Sequence, residues 1–262
     1  MAQAYVTLVT NADYLPGVRA LVNSLKLTGT SASIVILHTP AVDEALLAPL
    51  GVKLIECDLL PMSEGFNARH ARKALHGAAP FTKGEKPSFH TPLDNFVKLR
   101  LWELEQYKSV VFLDADTIVL RNIDRLFDYP EFSAAPNVYE SLGDFHRLNS
   151  GVFTAKPRMQ TYRDMLARLD DGETFWRRTD QTFLQDYFPD WQGLPIFDNL
   201  LQYVWFNMPE LWSWEQARVV HFQYEKPWQA DHPKREALAP LIALWQDYHD
   251  GRAPDLTALP SP

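Results

Sequence analysis

The feature that most constrains this chain is a series of apolar, β-branched segments that alternate with helical patterns and end, at residues 109–113, on a pair of carboxylates. Residues 4–10 (AYVTLVT) contain no breaker and read as a buried strand that stops at Asn11. From Pro16 the period becomes helical: Val18, Leu21, Val22 and Leu25 share one face, with Pro in the first turn and Gly29 just past the end. Strands at 33–37 (SIVIL) and 52–56 (VKLIE) follow, separated by a short helix over 43–50. This alternation predicts an α/β fold around a mostly parallel sheet covered on both faces.

Residues 61–92 break the rhythm with Pro and Gly and no sustained apolar period. A stretch of this length is read as a long loop or a partly helical lid. Arg69, Arg72, Lys73, Lys83 and Lys86 stand there against Glu64 and Glu85, a basic island that is either a solvated surface or a cover over an anionic ligand. A helix over 93–106 leads into the strand at 109–113, and further strands are expected near 132–135 and 151–155. Helices are expected near 158–169, 180–187 and 233–249. One domain over 1–250 with a frayed tail at 251–262 accounts for 262 residues that are 46% hydrophobic.

The net charge of -8 argues against nucleic acid or an anionic membrane as a partner, so any anionic ligand needs local positive charge. No stretch reaches the eighteen or so apolar residues of a membrane span, and MAQAYVTLVTN has no basic leader, so the mature chain is expected to start near Met1. Cys57 stands alone, which excludes an intrachain disulfide and fits a cytoplasmic protein.

The sequence FLDADT carries an apolar strand straight into Asp114 and Asp116. Burying two carboxylates is costly unless a cation meets them. In an extended chain, positions i and i+2 face the same side roughly 6.6 Å apart, and their hard oxygens suit Mg²⁺ or Mn²⁺. Ligands of α/β proteins gather at such strand ends. The plainer alternative is that both aspartates cap local turns.

FLDADTIVL, together with TLVTNADY, NSGVF, a DQ pair and HFQYEKPW in that order, resembles the glycogenin-like retaining glycosyltransferases, a family that includes galactinol synthases and bacterial lipopolysaccharide galactosyltransferases. The resemblance runs from about Tyr5 to Trp228 and implies a single-domain GT-A fold, a UDP-sugar donor and Mn²⁺, with Mg²⁺ as the alternative ion. By motif, Leu8, Thr10, Asn11 and Tyr14 would line the uridine pocket, and Lys98 would lie near the donor. Asp114, Asp116 and His221 match the metal ligands, with Ala115 between the aspartates at the donor. Asn149, Ser150 and Gly151 would meet the sugar, and Lys226 would neutralise the diphosphate. Asp180 and Gln181 would stand at the reacting face. Family members often self-associate, so a homodimer is expected by resemblance.

Two departures matter. Relatives carry a Gly-containing loop between the histidine and the lysine, whereas Gln223-Tyr224-Glu225 has none. The segment where glycogenin carries its self-glucosylated tyrosine reads VWFNMP, which points to an external acceptor: a sugar, a lipid or a small molecule. Two other readings compete. One is a noncatalytic nucleotide-sugar-binding relative. The other is a haloacid-dehalogenase-type phosphatase with Asp114 as nucleophile, in which case Asp170-Asp171 would be the later acidic pair.

Overall fold

The computed structural model describes residues 2–78, 86–172 and 174–262, and side chains at all of these except 76–78. The strands are β1 (Ala2–Val9), β2 (Ser33–His38), β3 (Lys53–Glu56), β4 (Tyr107–Leu113), β5 (Thr117–Val119), β6 (Ser133–Pro136), β7 (Leu148–Ala155), β8 (Gln192–Gly193), β9 (Leu200–Leu201) and β10 (Val219–His221). The helices are α1 (Leu15–Leu27), α2 (Glu44–Leu47), α3 (Glu64–Arg69), α4 (Arg72–Ala78), α5 (Met159–Leu169), α6 (Asp180–Tyr187), α7 (Val204–Asn207) and α8 (Ala239–His249).

Seven strands form one sheet in the order β3-β2-β1-β4-β7-β6-β8, and β5-β10-β9 form a small second sheet. The pairs β3-β2, β2-β1, β1-β4 and β6-β8 are parallel, while β7 is antiparallel to both β4 and β6. The sheet is therefore mixed and mostly parallel, flanked by helices, in a single α/β domain. The apolar run of β4 has a simple cause. Val110 and Phe112 face one core with Trp102, Phe153 and Phe183, and Val111 and Leu113 face another with Tyr5, Leu21 and Val219. A strand buried on both faces cannot alternate with polar residues.

Helix α1 ends as its sequence predicts, with Gly29 at φ 70 in the left-handed region. It is tied to α8 by Asn23 Nδ2, which donates 3.0 Å bonds to the carbonyls of Tyr248 and His249. Gly17 is a requirement of packing: a Cβ there would overlap the Ala115 carbonyl and the Trp228 ring.

Two expectations change. The helix read over 93–106 is a 3-10 helix from Pro92 to Glu103, in which Phe96, Val97, Lys98, Leu99, Leu101 and Trp102 are all buried. The stretch 61–92 is partly helical, one of the two forms expected, through α3 and α4, and Lys83, Gly84 and Glu85 lie outside the described residues. The tail read as frayed lacks helix and strand, yet Leu256 and Leu259 pack against the core and the Trp214 indole donates to the Pro260 carbonyl at 2.8 Å.

Candidate active site

The end of β4 delivers Asp114 and Asp116 into a cavity of about 330 Å³. Strand β10 pairs antiparallel with β5 in the register His221↔Thr117, which carries the imidazole to the same place. One ligand atom from each of Asp114, Asp116 and His221 lies within 4.8 Å of the others. His221 Nε2 stands 3.2 Å from Asp116 Oδ1 and 3.9 Å from Asp114 Oδ2.

The orientation of His221 can be traced to a backbone amide. Gly151 N–H donates to Asn149 Oδ1 at 2.9 Å, which fixes that atom as the oxygen. Asn199 Nδ2 must then donate to the same oxygen, at 2.8 Å, which turns Asn199 Oδ1 toward His221 Nδ1 at 2.9 Å. Nδ1 therefore donates to Asn199, and Nε2 is the nitrogen that faces the carboxylates and can offer a lone pair to a cation. Asn137 Oδ1 closes the chain by accepting from Asn149 Nδ2 at 2.9 Å. Two carboxylates and an imidazole lone pair converging on one point are a donor set suited to a divalent cation, and an imidazole supported from behind in this way is typical of metal ligands.

Each carboxylate also has a lysine. Lys98 Nζ lies 2.8 Å from Asp114 Oδ1 and 3.0 Å from Asp180 Oδ2, and Lys226 Nζ contacts Asp116 Oδ2 and the Phe222 carbonyl. Burial alone would lower the Lys98 pKa, but Asp114 and Asp180 reverse it, and the ammonium stays charged. For Asp116 burial works upward, and Lys226 and His221 outweigh it, holding the carboxyl well below the usual range. Asp114 is raised, by burial first and by the charge of Asp116 against the opposing Lys98. Two like charges this close are relieved by a cation between them.

Leu8, Thr10, Tyr14, Ala115, Asn149, Ser150 and Gln181 line the same cavity. Asn11 does not: its side chain accepts from Asp13 N at 3.1 Å and donates to the Phe89 carbonyl at 3.3 Å. Gly151 is backbone support, since a Cβ there would collide with the His221 ring. Tyr14 Oη lies 3.2 Å from His90 Nδ1, and the tyrosine ring packs edge-on against Phe89 and Trp228.

Other residues of the cavity were not singled out as site residues from the sequence. His90 lines the cavity, and burial followed by Lys86 pulls its pKa down to about 2. Lys86 is pulled to about 8, by burial and then Lys226. Arg72 of the basic island is committed elsewhere, donating to the carbonyls of Ser88 at 2.9 Å, Pro87 at 3.1 Å and His90. Asn137 and Asn199 lie in loops with no period to flag them, whereas Arg177 and Arg178 could have been noticed beside the DQ pair.

The loop without glycine closes by forcing a side chain to take glycine's place. Tyr224 has φ 63, the left-handed region, and its ring stacks on Tyr203 at 5.1 Å. Gln202 and Glu225 brace it from below. Gln202 Nε2 donates to the carbonyls of Gln223 and Glu225, and Glu225 accepts from Tyr203 Oη at 2.6 Å and Lys234 Nζ at 2.7 Å. Tyr203 is wholly buried and committed to this cluster.

The mixed sheet thus brings the two aspartates at the end of β4 and the histidine of β10 together in one cavity. The description Glycosyl transferase family 8 matches residues 5–135, half of the chain, and the chain belongs to that family. Glycogenin-1 of Homo sapiens is 33% identical over 246 residues, covering 90% of this chain and 65% of its own length. UDP-glucuronate:xylan alpha-glucuronosyltransferase 2 of Arabidopsis thaliana is 30% identical over 236 residues, covering 86% of this chain and 36% of its own. The chain thus spans less than two thirds of either relative. A crystal structure of the galactosyltransferase LgtC with donor and acceptor sugar analogues superposes with a TM-score of 0.63 at 15% identity, covering 96% of this chain and 97% of that one. The shared fold is what that likeness conveys. Among the described residues no helix is long and apolar enough to cross a membrane.

Proposed function

We propose that this chain is a metal-dependent retaining glycosyltransferase that moves a hexose-type sugar from a UDP-sugar to an external acceptor. The observation that carries the reading is the convergence of Asp114, Asp116 and the His221 Nε2 lone pair beside a Lys98–Asp180 pair in one cavity. A divalent cation held by the three ligands, Mn²⁺ by preference for the imidazole, would supply electrostatic stabilisation to a diphosphate.

The chain's own groups divide the remaining work. Leu8, Thr10 and Tyr14 offer a wall for a uridine, and Asn11 holds the turn that presents Tyr14. Lys226, already at the metal end of the cavity, moves positive charge toward the departing diphosphate as negative charge builds there. That contact is worth more in the transition state than before it. Lys98 fixes the Asp180 carboxylate, and Thr179 Oγ1 donates to its other oxygen at 2.9 Å, so Asp180 is oriented where a cationic anomeric centre would need it. Gln181, in the next position on α6, faces the same space. Asn149 and Ser150 border the sugar side.

The phosphatase reading loses its second acidic group: Asp170 is used up accepting from Ser63 N and Oγ, both at 2.8 Å, at the start of α3. The noncatalytic reading has no specific observation in its favour. The direct test follows UDP release from a panel of UDP-sugars with and without Mn²⁺. Release from one donor that requires the metal, and that falls on the order of 10³-fold in Asp116→Ala, is expected. If wild-type protein neither releases UDP nor binds it in calorimetry with Mn²⁺ present, the proposal is wrong.

A further inference from the structure

Arg177 and Arg178 lie immediately before Thr179-Asp180-Gln181. Both line the cavity that holds Asp114 and Asp116, and both also line a neighbouring cavity of about 500 Å³. Gln181 is shared in the same way, so the two arginines and Gln181 form the sill between the compartments. The cations around them are matched: Lys98 by Asp114 and Asp180, Lys226 by Asp116, and Arg147 by Asp144 at 3.1 Å. Asp186, the carboxylate in the second cavity, is taken by Arg168 at 2.7 Å. Among the described residues neither the Arg177 nor the Arg178 guanidinium has a carboxylate or carbonyl partner. The bonds of Arg178 are made by its backbone, its N–H donating to Thr182 Oγ1 at 3.0 Å and its carbonyl accepting from Gln181 N at 3.2 Å.

The backbone at the sill is also held in an unusual state. Thr179 has φ 49 and ψ -130, a conformation that β-branched residues rarely adopt. Such strain persists only where the surroundings enforce it. Here Thr179 Oγ1 is engaged with Asp180 and, at 3.4 Å, with Asn95 Nδ2, which ties the arginine pair to the carboxylate at the reacting face. Arg177 is exposed and Arg178 half-buried, so water screens the pair in part, and an anion reaching both would add charge-assisted hydrogen bonds that water does not match.

We propose that Arg177 and Arg178 bind an anionic substituent, a carboxylate or phosphate, on one of the two sugars that meet at Asp180. The donor would then be a UDP-uronic acid, or the acceptor a sugar acid or sugar phosphate. This assignment rests on the glycosyltransferase reading and adds a substrate class to it.

The test titrates UDP-glucuronate and UDP-glucose into Mn²⁺-loaded protein, and then glucuronic acid, glucose 6-phosphate and glucose into the protein with Mn²⁺ and UDP. Wild type, the double variant Arg177→Gln/Arg178→Gln and the charge-conserving Arg177→Lys/Arg178→Lys are compared. A wild-type preference of about tenfold or more for the anionic member, lost in the glutamine variant and partly restored in the lysine variant, is expected. The preference appears in the first titration if the donor carries the anion and in the second if the acceptor does. Ratios near one in wild type for both, or ratios that survive in the glutamine variant, overturn the proposal. Absence of UDP binding to wild type is a different result: it removes the glycosyltransferase reading itself and the proposal with it.

Discussion

The floor and the rim of the cavity are built on opposite principles. On the floor every charge has a partner: Asp114 with Lys98, Asp116 with Lys226 and His221, and the imidazole with an amide chain that starts at the Gly151 backbone. The rim carries Lys86, Arg177 and Arg178. There burial pulls the Lys86 pKa down to about 8, and the two guanidiniums lack carboxylates among the described residues. The difference is one of timing. A floor satisfied in advance gains little by rearranging and can orient what it binds, whereas a rim of unneutralised cations becomes comfortable only when a multiply charged ligand arrives.

The largest expected effect probes the floor. Asn199→Leu removes the acceptor that keeps the proton on His221 Nδ1, and Mn²⁺ affinity measured with UDP present is expected to fall by about 10- to 100-fold. Asn199→Asp keeps the acceptor oxygen toward His221 but loses the donor to Asn149 Oδ1, so it is expected to restore only part of the affinity. An unchanged affinity in the leucine variant would mean that the floor is not preorganised through this chain.

The rim is probed by Lys86→Gln, which is expected to weaken UDP binding about tenfold at pH 7. The sign of the pH dependence follows from the depressed pKa. Between about 8 and the ordinary 10.5 the unfolded chain holds more protons at this lysine than the folded one, so stability of the ligand-free protein rises with pH across that window. A bound diphosphate favours the charged ammonium. UDP binding should therefore take up a fraction of a proton near pH 8 and weaken as pH rises further, as read by calorimetry in buffers of differing ionisation enthalpy. Equal proton uptake in Lys86→Gln would assign the effect to another group.

The smallest effect concerns the loop joining the two regions. Tyr224→Ala and Tyr224→Gly both lose the ring, but only glycine relieves the left-handed backbone, so the glycine variant is expected to be the more stable of the two by about 1 kcal/mol in chemical denaturation. Equal stability would show that the loop relaxes once the ring is gone.

The same division decides what could be read from sequence. The β4 strand and its two aspartates were legible because burial on both faces leaves an uninterrupted apolar run, and a carboxylate pair ending such a run demands a cation. His221 was reachable only by resemblance, since a three-residue strand gives no period. Lys98 was reachable only by resemblance, because tight 3-10 winding with buried residues on every side, which no helical period announces, puts it inside, where it meets Asp114 and Asp180. Asn137 and Asn199 were invisible because a hydrogen-bond chain between loops is a property of three dimensions. The missing glycine before Lys226 was visible, yet nothing in QYE says that tyrosine would adopt the left-handed conformation; only the stacked Tyr203 ring explains why it is tolerated.

The contact at Gly17 bears on the order of assembly. The α1 backbone there lies close to both the Ala115 carbonyl and the Trp228 ring, and Trp228 donates its indole N–H to the Asp13 carbonyl at 3.0 Å. These three segments span most of the chain, so their meeting carries the loop-closure cost of some of the most distant contacts in the molecule and belongs late in folding. During synthesis β1, β2 and β4 can pair well before His221 leaves the ribosome, but metal affinity should appear abruptly, only after the segment through Trp228 has docked.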